Sequence, residues 1–227
     1  MVQARVAPFA AGAVCAAVLL VGCASPSPTV PGGSSTPPQT LLPSPSATET
    51  PSPDPAVIVI GARELTVHST EGTVLHELSY SDDPSGAVDV LTDVLGSAPE
   101  VRDHPQQECA HARTVAEWGT DSFILVYGPE LPLPADLQFQ TVAVVDEVAG
   151  VRIETPTGSS VGGSVAELIA AVPDAPVEVA EFDGVRYESV HYDIGEDNEL
   201  GRWGADAGAE NGVIRRLGGG QYLSGDC

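Results

Sequence analysis

A proline-rich stretch, residues 24–55, sets the first limit on the structure of this chain. Of its 32 residues, 10 are proline, 12 are serine or threonine, none is aromatic, and only Glu49 and Asp54 carry a charge. Such a segment has too little apolar surface to offset the entropy lost on folding, and its prolines favour extended polyproline conformations. We therefore expect a disordered linker here, followed by a folded part that comprises residues 56–227.

The N-terminal residues indicate how the chain is held at a membrane. Residues 1–22 contain one charged side chain, Arg5, and their apolar run, residues 6–21, suits a secretory signal peptide better than a membrane span. The run ends in Leu-Val-Gly before Cys23 and so resembles the lipobox of bacterial lipoproteins. An ordinary signal peptide with an incidental Cys23 is the alternative interpretation.

The resemblance to lipoproteins implies the maturation and the location of the chain. It implies cleavage before Cys23, attachment of diacylglycerol to its thiol through a thioether and often a third acyl chain such as palmitate, and two or three such chains hold a protein firmly in a bilayer. Residues 1–22 are thus expected to be the signal peptide, and residues 23–55 the lipidated N-terminus with its linker. We expect the mature protein at the extracytoplasmic face of the cell membrane.

The acidic composition restricts the partners of the protein. The chain has 32 Asp and Glu residues against 9 basic residues, all of them arginine, and its formal net charge is -23. A surface of this charge repels nucleic acid and acidic lipid headgroups. We expect no nucleic-acid partner and no cofactor, and contact with the membrane through the lipid anchor.

Two cysteines belong to the folded part. Cys109 and Cys227 would lie in an oxidising compartment, where two thiols can form one disulfide. A bridge between them would close the loop 109–227 and restrain the C-terminus, a stabilisation of about 4–5 kcal/mol on the disputed chain-entropy account. We predict this disulfide, with two free thiols or a metal site as the alternatives.

Hydrophobic periodicity and capping signals predict strands and two helices. Apolar residues alternate between residues 57 and 78, which favours strands and a hairpin turned at Glu71-Gly72. Asp83 and the proline after it predict the start of a helix that ends at Gly96. Ser164 and Glu167 form a capping-box pattern at the start of a second helix.

The two helices suggest an internal repeat. Their apolar residues and the proline after each align at a constant offset of 77 residues, namely Val88, Leu91, Leu95 and Pro99 with Val165, Leu168, Val172 and Pro176. The predicted strand 123–127 falls on residues 200–204 at the same offset. We therefore predict an α+β fold, a tandem ββαββ repeat of two halves, 56–134 and 135–227, with mainly antiparallel sheet and one helix per half. Chance alignment of two helices is the alternative.

Two further resemblances concern the folded part. A hairpin, a helix ending in Leu-Gly, and a later cysteine and Trp-Gly pair resemble uncharacterised lipoproteins of GC-rich Gram-positive bacteria; the residues are Leu95-Gly96, Pro99, Cys109 and Trp118-Gly119. The tandem order also resembles, at the level of the fold, secreted β-lactamase inhibitor proteins, in which two halves present a concave binding surface. This resemblance transfers no binding residue, because a fold does not specify a function.

A G-x-S-x-G pattern raises the possibility of an esterase. Ser160 stands at its centre, and Asp183 and His191 follow in the order found in hydrolases. Such a nucleophile needs a sharp turn from a strand into a helix on a parallel sheet. The predicted strands are antiparallel and the helix begins only after Ser164, so an ordinary loop is the interpretation that we prefer.

Two groups of residues could bind metal ions. His104 and His111 flank Cys109, and such donors suit copper or zinc. Carboxylates that could hold calcium are Asp193, Glu196, Asp197 and Glu199, although their spacing fits no known calcium loop. Exposed loops explain both groups more simply, and we assign no metal ligand.

The remaining candidate for a functional contact is aromatic. Trp203 lies between Gly201 and Gly204 beside the acidic residues, which makes it the candidate for a partner contact, although a core position is the interpretation that we prefer. Because no catalytic set is convincing, the leading hypothesis is a lipid-anchored, non-enzymatic binding module for an envelope protein or a small ligand. A serine hydrolase using Ser160 and a metal-binding lipoprotein are the rival hypotheses.

Overall fold

A computed structural model describes residues 54–106, 111–129, 131, 133, 136–198 and 201–222. In chain order the elements are β1 (Pro55–Ile60), β2 (Glu64–Ser69), β3 (Val74–Ser79), α1 (Pro84–Leu95), β4 (Glu100–His104), β5 (Arg113–Trp118), β6 (Phe123–Tyr127), β7 (Phe139–Ala143), β8 (Glu147–Val148), β9 (Val151–Glu154), α2 (Val165–Ala171), β10 (Val177–Phe182), β11 (Val185–Asn198), β12 (Gly201–Glu210) and β13 (Val213–Tyr222). Over these residues the protein is mostly β-structure.

The strands form two sheets. The smaller sheet has the order β3-β2-β1-β9-β8, and the larger has the order β10-β11-β12-β13-β7-β6-β5-β4. All neighbours are antiparallel except β1 and β9, which pair in parallel with Ile58 opposite Ile153. The larger sheet therefore has β10 and β4 as its two edges.

The two helices begin where the capping signals predict. In α1 the Asp83 carboxylate accepts a hydrogen bond of 2.9 Å from the Ser85 amide, and Gly96 ends the helix in the left-handed conformation at φ 64°. In α2 the Ser164 hydroxyl accepts from the Glu167 amide at 3.4 Å. These two starts are confirmed.

The predicted tandem ββαββ repeat is wrong. Strand β9 of the second half pairs with β1 in the smaller sheet, and β7 of the second half pairs with β6 in the larger one, so each sheet is built from strands of both halves. The two helices have only 12 and 7 residues. One short helix covers little of a sheet, whereas two sheets packed face to face bury one face of each.

The aligned apolar residues have a simpler origin. Residues at i, i+3 and i+7 form one face of any amphipathic helix, so two unrelated helices share this spacing. The strands that were aligned with each other differ in length, since β6 has 5 residues and β12 has 10. The offset of 77 residues therefore does not reflect repeated structure.

A single hydrophobic core lies between the sheets and the helices. Tyr80 is fully buried, its ring meets Phe139 edge-on at 5.2 Å, and its hydroxyl lies 3.1 Å from the Thr141 hydroxyl on β7. The Tyr192 hydroxyl on β11 donates to the Ile60 carbonyl on β1 at 3.0 Å. These contacts join the two sheets and leave the opposite face of the larger sheet available.

Candidate functional site

An open groove of about 560 Å³ lies on the face of the larger sheet that is turned away from the core. It is lined by residues 178–180 of β10, 187–189 of β11, 208–210 of β12, 215–216 of β13, and Val144. We call it the outer groove. Neighbouring antiparallel strands thus contribute alternate side chains to one surface.

Apolar side chains around the outer groove are unusually exposed. Val179 is 52% exposed, Tyr187 44% and Val144 42%, and Phe182 at the end of β10 reaches 70%. Single exposed apolar residues are common, but several of them around one groove mark an interaction site more often than an ordinary surface. The outer groove therefore has the apolar character of a binding surface.

The polar floor of the outer groove is formed by Arg216, which lines the groove, and by the buried Asp206 with which it pairs. Asp206 is only 3% exposed, and its Oδ2 accepts hydrogen bonds from Arg216 at 2.7 Å and from the Ser189 hydroxyl at 3.3 Å. A second Arg216 nitrogen donates to Gln221 at 3.0 Å, and the Gln221 amide donates to the Thr141 carbonyl at 3.1 Å. This network fixes the orientation of the guanidinium group.

The electrostatics of Asp206 reflect two opposing effects. Burial raises the pKa of its carboxyl group, while the charge of Arg216 and the hydrogen bond from Ser189 act to lower that pKa. Its Oδ1 is buried and has no hydrogen-bond partner within the described part of the chain. The floor therefore holds an acceptor that the described residues do not satisfy, beneath a surface to which a ligand has access.

Two glycines make room for this network. A Cβ atom on Gly218 would lie 2.8 Å from Asp206 Oδ1 and 2.6 Å from the Gln221 side chain. A Cβ atom on Gly208 would lie 2.9 Å from Arg216 Nε. Glycine at both positions lets long polar side chains lie flat across neighbouring strands.

His191 lies beside the ion pair on β11. Its side chain is 4% exposed, and its Nε2 lies 3.5 Å from the carboxylate of Glu178, whose own side chain is 67% exposed. Neither ring nitrogen has a hydrogen-bond partner among the residues that the structure describes. Glu178 is thus the acidic group placed to pair with His191 when the imidazole is protonated.

The arginines near the outer groove already have acidic partners. Arg186 pairs with Glu188 at 3.0 Å, and Arg215 lies 3.9 Å from Glu210. On β10, Glu181 has no ion-pair partner among the described residues. The edge of the outer groove formed by β10 therefore carries negative charge that these arginines do not neutralise.

The structure places Trp203 in the core. Its side chain is 2% exposed, and its ring lies so close to Gly195 that a Cβ atom there would be 2.7 Å away. The guanidinium of Arg63 lies over the ring at 5.7 Å from the centroid. Arg63 thus lies over the ring of Trp203. The partner contact considered for Trp203 stays a prediction.

A second cleft, of about 450 Å³, lies next to Arg63 and is lined in part by Glu64, His68 and Asp193. The Asp193 carboxylate accepts a hydrogen bond of 2.7 Å from the Ala62 amide, so it joins β11 to the segment after β1. Burial and the nearby carboxylates, Glu77 first and then Asp193, raise the pKa of Glu64. This contact gives Asp193 a structural role.

The hydrolase residues are not brought together. Ser160 lies in the loop between β9 and α2, where its carbonyl accepts from the Gly163 amide at 3.0 Å. Asp183 lies in the turn before β11, whereas His191 is six residues beyond Val185, the first residue of that strand. At about 3.3 Å per residue, roughly 20 Å of strand separates Val185 from His191, so Asp183, in the turn before Val185, is too far from His191 for a triad.

Several predicted positions lie outside the described residues. They are the lipidated Cys23, the bridge between Cys109 and Cys227, and Glu199 of the acidic group. Within the described ranges, no group of three or more His, Cys, Asp or Glu side chains could hold a metal ion. The lipid anchor and the disulfide remain predictions.

The described residues include no helix that is long and apolar enough to cross a membrane. Comparisons with protein-family models, with curated proteins and with solved structures give no match. Function is therefore inferred from the residues of this chain alone.

Proposed function

We propose that this protein is a lipid-anchored extracytoplasmic binding protein whose folded part presents the outer groove to a partner. The observation that carries the proposal is the outer groove itself, in which exposed apolar side chains border Arg216, whose guanidinium group is held by the buried Asp206. An apolar surface with a few fixed polar groups is the usual composition of a binding site. The apolar area supplies affinity, and the polar floor supplies specificity.

The N-terminal residues support the anchored part of the proposal. Acylation of Cys23 would hold the chain at the membrane, and residues 24–55 would separate the folded part from it. At roughly 3.1 Å per residue in a polyproline conformation, this linker reaches on the order of 100 Å. The outer groove would then be available to partners in the cell envelope.

Substitution of Cys23 tests the anchor. We expect the wild-type protein in the membrane fraction, with an intact mass that includes acyl chains on Cys23. Cys23→Ala should lack that mass and leave the membrane fraction, because the thiol that forms the thioether is gone. Cys15→Ala, a change in the predicted signal peptide, is the matched control and should not alter the location. An unmodified Cys23 in the wild type would contradict the proposal.

Photo-crosslinking from the outer groove tests the binding surface. We expect a photoreactive residue in place of Tyr187 to give a discrete adduct in whole cells, since Tyr187 lies on the groove and is 44% exposed. The same residue in place of Val74, which is 50% exposed on the other sheet, is the control and should not give that adduct. Identical adducts from both positions, or ester hydrolysis abolished by Ser160→Ala, would overturn the proposal.

A further inference from the structure

We propose that β10 is a docking strand that pairs with an extended segment of a partner protein, in which two basic residues stand three positions apart among apolar residues. The inference rests on the proposed binding function and specifies the partner of the same groove. It follows from three features of β10, which are its position at a sheet edge, the direction of its free backbone groups, and its charge.

Strand β10 is an unprotected edge. It is the terminal strand of the larger sheet, and all six of its residues are exposed. Its pairing with β11 runs from Val177 to Phe182 without a bulge, and it contains neither lysine nor proline. Proteins usually protect edge strands with bulges, prolines or lysines, because free backbone groups recruit further strands.

The other edge of the same sheet is different. Strand β4 has charged residues at three of its five positions, and its Arg102 is held between Glu100 at 2.8 Å and Glu117 at 3.1 Å. Its Glu100 is ion-paired and its Asp103 accepts a hydrogen bond from Thr114 within the sheet; both edges expose a valine, but only β10 borders the outer groove. The edge formed by β10 is therefore the one suited to a partner.

Backbone geometry identifies the groups that a partner would use. The His191 amide donates to the Pro176 carbonyl at 3.0 Å, and these two residues continue the register of β10 with β11. Because backbone groups alternate in direction along an antiparallel strand, residues 178, 180 and 182 face β11. The amides and carbonyls of residues 177, 179 and 181 then point to the open edge.

Side-chain chemistry specifies the partner. Directly opposite residues in paired strands point to the same face, so the partner would place apolar residues opposite Val177, Val179 and Phe182. It would place basic residues opposite Glu178 and Glu181, neither of which forms an ion pair with an arginine among the described residues: Glu178 lies 3.5 Å from His191, and Arg186 opposite Glu181 pairs with Glu188. A second copy of this chain would instead bring a net charge of -23 against the same carboxylates.

Opposite residues 177–182, the partner segment therefore needs the residue pattern apolar-basic-apolar-apolar-basic-apolar. It reads the same in both directions, so it holds for parallel and for antiparallel addition of the segment to β10. Main-chain hydrogen bonds would supply affinity and the spacing of the basic residues would supply specificity, as in other complexes formed by strand addition.

A pair of synthetic peptides tests the spacing. The first is Thr-Val-Lys-Val-Val-Lys-Val-Thr with blocked ends, and the second has the same composition with the lysines adjacent, Thr-Val-Val-Lys-Lys-Val-Val-Thr. We expect the first peptide to bind the mature chain, isolated from membranes in detergent, about tenfold more tightly than the second, because only its lysines meet both carboxylates. Equal affinities, or no binding of either peptide, would overturn the inference.

A charge reversal locates the site. Glu178→Arg combined with Glu181→Arg should weaken binding of the first peptide about tenfold. The version of the first peptide with glutamate in place of both lysines should bind this double variant instead. Glu100→Arg combined with Asp103→Arg makes the same change on β4 and is the matched control. Loss of binding in the β4 variant but not in the β10 variant would show that the peptide binds β4, and would reject the inference.

Amide hydrogen exchange measured by NMR tests the backbone pairing. Addition of the first peptide should slow exchange at residues 177, 179 and 181, while residues 178, 180 and 182 are protected already. Val179→Pro removes one outward amide and leaves the bonds to β11 intact, so it should weaken binding about fivefold. Binding without new protection, or protection in a concentration-dependent dimer without peptide, would contradict the inference.

These outcomes separate the inference from the proposed function. If the peptides fail to bind while the photoreactive residue at position 187 still gives a specific adduct, the outer groove binds a partner by another mode. If that adduct is also absent, the binding function itself is rejected.

Discussion

At the scale of single residues, buried and half-buried charges divide into two kinds. Asp206 is compensated, since Arg216 and Ser189 donate to its carboxylate deep in the outer groove. Glu64 is not compensated in this way, because carboxylates surround it and raise its pKa. The first kind orients a binding surface, whereas the second lowers the stability of the folded state at neutral pH.

Replacement of Glu64 should reveal this effect. A carboxyl group whose pKa is raised on folding has no effect on stability at pH values below its ordinary pKa of about 4.5. It destabilises the folded state as the pH rises through the pKa that the group has in the folded state. Glu64→Gln should therefore match the wild type near about pH 4 and be more stable by about 0.5 kcal/mol near about pH 7. Urea unfolding at both pH values measures the difference.

The control for Glu64 is Glu71, which is exposed in the turn after β2. Glu71→Gln should change the free energy of unfolding little at either pH. A Glu64→Gln variant that is less stable than the wild type at neutral pH would show that its carboxylate makes a favourable contact instead.

At the scale of elements, the glycines at the end of β13 decide how closely the sheets approach each other. A Cβ atom on Gly219 would lie 2.0 Å from the Tyr80 hydroxyl, 2.7 Å from Ile60 and 2.9 Å from the Gly61 carbonyl. These atoms belong to the segment around β1 and to Tyr80, which is fully buried. Space for a single methyl group is therefore missing where β13 crosses the smaller sheet.

Substitution of Gly219 should be costly for this reason. Gly219→Ala should lower the free energy of unfolding by about 3 kcal/mol, because the methyl group displaces Tyr80 and its contact with Thr141. Gly86→Ala in α1 is the control, since a Cβ atom there meets open space, and alanine should stabilise that helix by about 0.5–1 kcal/mol. Equal effects of the two substitutions on thermal unfolding would contradict the close approach.

At the scale of the whole molecule, both sheets share one core. Trp118 in the first half and Trp203 in the second belong to the same cluster of buried residues. Because each sheet joins strands of both halves, neither half has a core of its own. A chain built in this way should unfold as one cooperative unit.

Two single-tryptophan variants test this cooperativity. Trp118→Phe leaves Trp203 as the fluorescent probe, and Trp203→Phe leaves Trp118. In each variant we expect the fluorescence transition in urea to coincide with the transition followed by far-UV circular dichroism, because both halves lose structure together. Two separated transitions would indicate independently folding halves and would favour the repeat that the helix alignment suggested.

Local signals determined many of the elements. The starts of α1 after Asp83 and of α2 after Ser164, and the strand Phe123–Tyr127, follow from capping and periodicity, and the structure has them at these positions. Strand β10 was not predicted, although Val177 and Val179 alternate with Glu178 as a half-exposed strand requires. The ion pair of Asp206 with Arg216 was not predicted either, because no local pattern marks residues that meet across neighbouring strands.

The sequence by itself determined where both helices and several of the strands begin, the composition of residues 24–55, and the expectation of a lipid anchor at Cys23. These depend on interactions between near neighbours in the chain. Only the tertiary structure decided that β9 pairs with β1, that Trp203 is buried and that β10 is an open edge. The physical reason is that a strand carries the same alternation whichever strand it joins, and the choice depends on how the whole chain buries its apolar surface.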